Sequence, residues 1–193
     1  MGRPIQFDKA QALERAMEAF WARGFEATSL DDLCAAMGIG RSSFYRTFGS
    51  KHELLIAALD RYDERAFNRI MRELIKPRPV RQSVAAILNG FVDDVVAGPG
   101  QRGCLMGNCA AELAPRDPVA SARVKQSFAH VERAFREGLS RALAAGDTSV
   151  AGDVDALARF LTSTVQGIRL IGKANPDRDT LDDIVRVALR CLG

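Results

Sequence analysis

Apolar residues recur along this chain at three- and four-residue intervals, and no stretch alternates convincingly between apolar and polar positions. The pattern predicts an all-α protein of about nine helices. A first helix is expected from the N-cap Asp8 to Gly24, burying Ala10, Leu13, Ala16, Met17, Phe20 and Trp21. A short second helix follows Thr28-Ser29, whose hydroxyls can cap it opposite Asp32, and ends at Gly38. Ile39-Gly40 reads as a tight turn, and Arg41 to Phe48 as a third short helix closed by Gly49. Ser50-Lys51-His52-Glu53 forms a capping box that opens a long fourth helix, which stops at Lys76-Pro77-Arg78-Pro79. Further helices are expected over 80–97, 104–114, 118–145, 153–174 and 179–191, separated by Gly- and Pro-containing breaks. These divide the chain into residues 1–52 and a larger unit, 53–193.

Composition narrows the class. With 47% hydrophobic and 26% charged residues, the chain resembles an ordinary globular protein large enough to bury a core. No apolar run approaches the ~18 residues of a membrane span. The N-terminus MGRPIQFDKAQ has no apolar h-region, so a cytoplasmic location is expected. Cys34, Cys104, Cys109 and Cys191 are scattered and only two histidines occur, a pattern of reduced thiols rather than disulfides or a metal site. The net charge of +3 says little, but Arg41, Arg46 and Lys51 cluster with no acid among residues 41–52.

Two short helices joined by a glycine-containing turn and packed on a preceding helix make a helix-turn-helix unit, whose second helix enters the major groove. On a helical wheel Phe44 and Phe48 face the core, Ser42, Ser43 and Arg46 point away, and Tyr45 lies on the flank. Arg41 sits at the exposed first turn, and Lys51, Thr28 and Ser29 lie at helix N-termini suited to phosphate oxygens. The same wheel would also suit a solvated hairpin with no partner. The stretch AFWARGFEATSLDDLCAAMGIGRSSFYRTFGSKHELLIAAL resembles the N-terminal domain of TetR-family regulators. The matching positions are Gly24-Phe25, Thr28-Ser29, Ala35 to Ile39, Tyr45, Phe48 and Ser50-Lys51. The resemblance implies a palindromic double-stranded DNA operator, with Tyr45 and Lys51 on phosphates. One departure is Gly40, where the family commonly has Ser or Thr; Gly remains a tolerable N-cap. Gly2-Arg3-Pro4 could reach the duplex as a basic arm or simply be disordered.

Two phosphate-binding patterns are set aside. Residues 98–103 match G-x-G-x-x-G but lack the preceding strand that a dinucleotide site needs. Residues 167–173 match most of a P-loop, yet Ala174 follows where a magnesium ligand is required and the string lies in an amphipathic helix. No nucleophile elbow, H-E-x-x-H or paired carboxylates argue for an enzyme, and no cofactor or metal is expected.

The eighth helix carries apolar residues from Val154 to Ile171 on one side and Phe160 and Leu170 on another. A second apolar side can be covered within the monomer or by a second copy. The TetR resemblance implies a homodimer through the last two helices, and a small-molecule effector enclosed by helices four to seven. Phe67, Met71, Phe91, Cys104, Asn108, Phe128 and His130 are the candidate lining residues, though each also fits plain core. Gly103-Cys104-Leu105 followed by Asn108 resembles a segment common in one branch of the family, some members of which respond to electrophiles or oxidants through the matching cysteine. Placed at a helix start two residues from Arg102, Cys104 is either such a sensor or an inert buried thiol. The expectation is therefore a repressor released by an effector, with thiol sensing as the alternative. A nonspecific DNA-coating protein is less consistent with the low net charge.

Overall fold

A computed structural model describes residues 7–98, 102–150 and 152–193. Gly2-Arg3-Pro4 and residues 99–101 of the glycine-rich string lie outside the described residues. Among the described residues there are nine α-helices and no strand. They are α1 (Lys9–Arg23), α2 (Leu30–Met37), α3 (Arg41–Phe48), α4 (Lys51–Leu74) and α5 (Val80–Val96), then α6 (Leu105–Glu112), α7 (Pro118–Ala144), α8 (Val154–Ala174) and α9 (Arg178–Ala188). A single 3-10 turn, Leu189–Cys191, follows α9, where the sequence predicted continuous helix.

Helix ends are set by local chemistry. Asp8 accepts hydrogen bonds from the backbone N–H groups of Ala10 and Gln11, which opens α1. In α1 the buried side differs from the predicted stripe: Ala12 and Ala19 are buried, Ala10 is exposed, and Leu13 and Trp21 are only half-buried. The helix meets α2, α4 and α6 on different sides, so its buried arc is wider than one stripe. At α2, Ser29 and Asp32 form a reciprocal capping box. Thr28 does not take part in it; its hydroxyl donates to the Gly24 carbonyl at 2.6 Å and its side chain is buried. Gly38 ends α2 at φ 69°, a left-handed conformation that an L side chain adopts only at a cost of about 1–2 kcal/mol. The turn into α3 therefore depends on glycine at that position.

The apolar core forms two clusters. One joins α1–α3 and the first half of α4 to α6 and the start of α7. The other holds the second half of α4 with α5, α8, α9 and most of α7. The helix-turn-helix head is thus built on Phe20, Leu33 and Phe44 but is also packed on Leu105, Cys109 and Leu113 of the α6 region. Phe44 is fully buried, and truncation to Ala would remove about 3–5 kcal/mol from the head. Glycine permits two close helix contacts in the body. A Cβ at Gly172 would lie 2.5 Å from Val95 Cγ1, and one at Gly138 2.9 Å from Leu74 Cδ2. The P-loop-like string 167–173 lies inside α8, with no free loop to cradle phosphate.

Candidate nucleic-acid interface and effector cavity

Helix α3 presents the predicted face. Phe44 and Phe48 are buried against the head, which turns Ser42 and Arg46 fully outward, with Ser43 half-exposed beside them. Arg46 makes no ion pair among the described residues, so its guanidinium is available to an incoming base or phosphate. Tyr45 is 56% exposed, and its ring meets Phe44 edge-on with centroids 5.4 Å apart. Arg41 is already in a bidentate pair with Asp31 of α2, at 2.8 and 2.7 Å. This pair is exposed to solvent, where water and salt weaken it. Lys51 Nζ stands 4.3 Å above the Phe25 ring, holding the ammonium at the N-terminus of α4.

At α2 the arrangement departs from expectation. Ser29 remains exposed, but Thr28 is sealed beneath it, leaving Ser29 and the backbone N–H groups of α2 as the parts of that corner facing outward. Gly40 caps α3 with extended dihedrals and no side-chain hydrogen bond, and a Cβ there would meet open space. Ser42 and Ser43 therefore share a helix N-terminus whose N–H groups no side chain covers.

Polar contacts connect this head to the rest of the molecule. Glu112, the last residue of α6, accepts from the backbone N–H groups of Phe25 and Glu26 at 3.1 and 2.8 Å. Trp21 Nε1 donates to the Gly103 carbonyl at 3.2 Å, and His52 meets Asp117, the N-cap of α7, at 2.7 Å. Arg102 pairs with Glu18 and lies 4.2 Å over the Trp21 ring. A displacement of α6 or its flanking segments must therefore pull on α1 and on the turn before α2.

A cavity of about 830 Å³ lies between α1, α4, α5 and α8. Its walls carry Glu18 and Trp21 of the head, Tyr62 and Arg69 of α4, Phe91 of α5, and Arg169 of α8. Of the lining residues predicted from sequence, only Phe91 belongs to it. Phe67 and His130 border a smaller depression between α4 and α7, where His130 Nδ1 meets Asp63 at 2.6 Å. Asn108 is tied up outside the cavity, donating to the Arg102 carbonyl and accepting from Lys173 Nζ. Phe128 packs on the first core cluster and Met71 on the second. Cys104 is buried as the N-cap of α6, just ahead of the helix's first turn, and its Sγ accepts a hydrogen bond from Tyr62 Oη at 3.7 Å. Trp21, Tyr62 and Arg169 were missed. The available signal was Arg169, a charged residue on the inward side of α8 between Val165 and Gly172.

Outside the core, α8 exposes a continuous stripe of Phe160, Ser163, Leu170 and Ile171, with half-exposed Gly167 at its middle. Leu170 is 70% exposed, and α9 also exposes an apolar residue, Val187. No helix among the described residues is long and apolar enough to cross a membrane.

Comparison with known proteins matches both halves of this arrangement. Residues 12–58 match the bacterial regulatory proteins of the tetR family, and residues 77–188 a tetracyclin repressor-like C-terminal domain. The HTH-type transcriptional regulator YezE of Bacillus subtilis (strain 168) is 35% identical over 193 residues, with 100% of both chains covered. The HTH-type transcriptional repressor ComR of Escherichia coli (strain K12) is 31% identical over 190 residues, 98% of this chain and 90% of ComR. Among solved structures, a cysteine mutant of the regulator CifR complexed with 26-bp double-strand operator DNA superimposes with a TM-score of 0.89. That chain is 32% identical, with 100% of each chain covered.

Proposed function

The chain belongs to the tetR family of bacterial regulatory proteins, and from that premise we propose that it is a homodimeric repressor released from a palindromic operator by a small-molecule effector. The observation that carries this is the outward face of α3. Ser42, Ser43 and Arg46, which has no ion pair among the described residues, sit on a helix backed by buried Phe44 and Phe48. Tyr45, Lys51, Ser29 and Arg41 flank that face and supply phosphate contacts, which fix register rather than read sequence. The apolar stripe of α8 and α9 is the dimer face, and two-fold symmetry places two copies of α3 on half-sites ~34–36 Å apart. The operator complex of the CifR mutant and the repressor ComR support the same assignment. A regulator of this kind works on cytoplasmic DNA, and no catalytic step belongs to its role.

The effector acts through the cavity because α1 of the head forms part of its wall. Filling it changes the seat of Trp21 and the Arg102–Glu18 pair, and the strain passes to the turn held by Glu112. The burial of Cys104 behind Tyr62 favours a reversible ligand over alkylation of that thiol. Release by an alkylating agent should therefore be equal in wild type and Cys104→Ser; its loss in the variant would make Cys104 the sensor. The DNA-binding assignment is tested by selecting sequences from random DNA with purified protein. A palindrome should be enriched, whereas failure to enrich any sequence would indicate a nonspecific DNA-coating protein.

A further inference from the structure

Arg169 is 9% exposed, yet among the described residues no carboxylate pairs with it. Its guanidinium lies instead among three aromatic rings, 5.0 Å from the Phe91 centroid, 5.6 Å from Tyr62 and 5.9 Å from Trp21. The rings compensate it in part through their negative faces, Tyr62 Oη accepts a hydrogen bond from it, and Asp94, itself paired with Arg69, acts on it only through space. Tyr62 supplies no counter-charge: burial pushes its phenol far above the ordinary range, so it stays neutral at physiological pH. Buried cations are otherwise paired, because removal from water disfavours the charged form. Arg169 faces the cavity, so the missing counter-charge has room to arrive from outside.

The rest of the wall points the same way. Its other carboxylates already face cations: Glu18 with Arg102, Glu64 with Arg61, Asp94 with Arg69, and Glu73 with Lys76 and Arg78. The cavity thus has six arginines against four carboxylates, an excess of positive charge that includes buried Arg169. Beside Arg169 the wall turns apolar, with Trp21, Phe91 and Val95. A single guanidinium fork matches the two oxygens of one carboxylate, while the aromatic faces suit a compact apolar body rather than a multiply charged phosphate ester.

We propose that the cavity binds a small monocarboxylate, its carboxylate held in two hydrogen bonds by Arg169 and its apolar body stacked between Trp21 and Phe91. This inference deepens the effector-regulated reading above and names its ligand class. The ligand neutralises Arg169 and covers the α1 face of the cavity, so its binding energy reaches the DNA-binding head through Trp21 and its hydrogen bond to Gly103.

Trp21 is the chain's only tryptophan, which makes intrinsic fluorescence a direct reporter of the cavity. Acetate, hexanoate, benzoate and phenylacetate are titrated into the full-length protein, in parallel with the corresponding neutral amides. At least one acid should give a saturable fluorescence change, with its amide roughly tenfold weaker or more. Arg169→Gln should abolish acid binding, while Arg169→Lys should retain part of it. Operator binding without ligand and the thermal melt of each variant establish that it is folded. If Arg169→Gln does not fold, the acid-over-amide preference in wild type decides the matter alone. The proposal is overturned by equal response to acid and amide, by unchanged acid binding in folded Arg169→Gln, or by no response to any of the acids. Operator release is measured separately. Acid binding at Arg169 without release would leave this site standing and refute effector control, whereas release by neutral compounds alone would do the reverse.

Discussion

At the scale of single residues, exposure divides the head into groups free to meet a partner and groups that hold its shape. Arg46 is exposed and has no ion pair among the described residues, so Arg46→Ala should leave thermal stability unchanged while weakening operator binding by about 1–3 kcal/mol. Thr28 should behave in the opposite way. Its buried hydroxyl donates to Gly24, so Thr28→Val should cost about 1 kcal/mol of stability and leave the salt dependence of DNA binding unchanged. Asp32 provides a pH test. The Ser29 hydroxyl and backbone N–H donate to its carboxylate and hold its pKa at about 2, below the ordinary 3.8. A depressed carboxylate contributes stability that is fully present above its unfolded pKa and is lost as pH falls through the folded value. The contribution of this cap should therefore fade between pH 3.8 and about 2, and Asp32→Asn should flatten that limb of the acid-unfolding profile. Cys109 is the contrasting case: burial pushes its thiol up to about 12, so it stays protonated at neutral pH.

At the scale of elements, the turn between α2 and α3 contains two glycines of different standing. Gly38 is left-handed, so Gly38→Ala should destabilise the head by about 1–2 kcal/mol in chemical denaturation. Gly40 has an extended backbone and open space at its Cβ, so Gly40→Ser should gain a few tenths of a kcal/mol by capping α3. Most element boundaries were legible because capping signals are local: Asp8, Ser29, Ser50 and Pro118 each stand where a helix begins. The cavity was not legible for the same reason. Periodicity identifies which side of a helix turns inward, but a void depends on which inward residues from several helices fail to meet. Asn108 and His130 were sound choices as polar groups in apolar helices, yet Lys173 and Asp63 from other elements occupy them. Arg169 was visible as a charge within the buried stripe of α8, but its significance rests on Trp21, Tyr62 and Phe91 arriving from three other helices.

At the scale of the whole molecule, the head and body are not independent. Leu105, Cys109 and Leu113 of the α6 region share a core with α1–α3, and the residue 52/53 division falls within the first turn of α4. An effector that fills the cavity therefore acts on a surface continuous with the DNA-binding unit. The second requirement is pairing of two chains. Leu170→Glu would bury a charge within the α8 stripe, so sedimentation should show monomers that retain helical content but bind operator weakly. Pairing sets the geometry of recognition, because a rigid dimer fixes the separation of its two α3 helices. The most direct measurement is equilibrium binding to the selected palindrome and to a version with about half a helical turn of DNA inserted between its half-sites. Affinity should fall to that of a single half-site, since the second α3 would then face the wrong side of the duplex. Equal affinity for the two spacings would contradict recognition by a two-fold dimer reading through Ser42, Ser43 and Arg46.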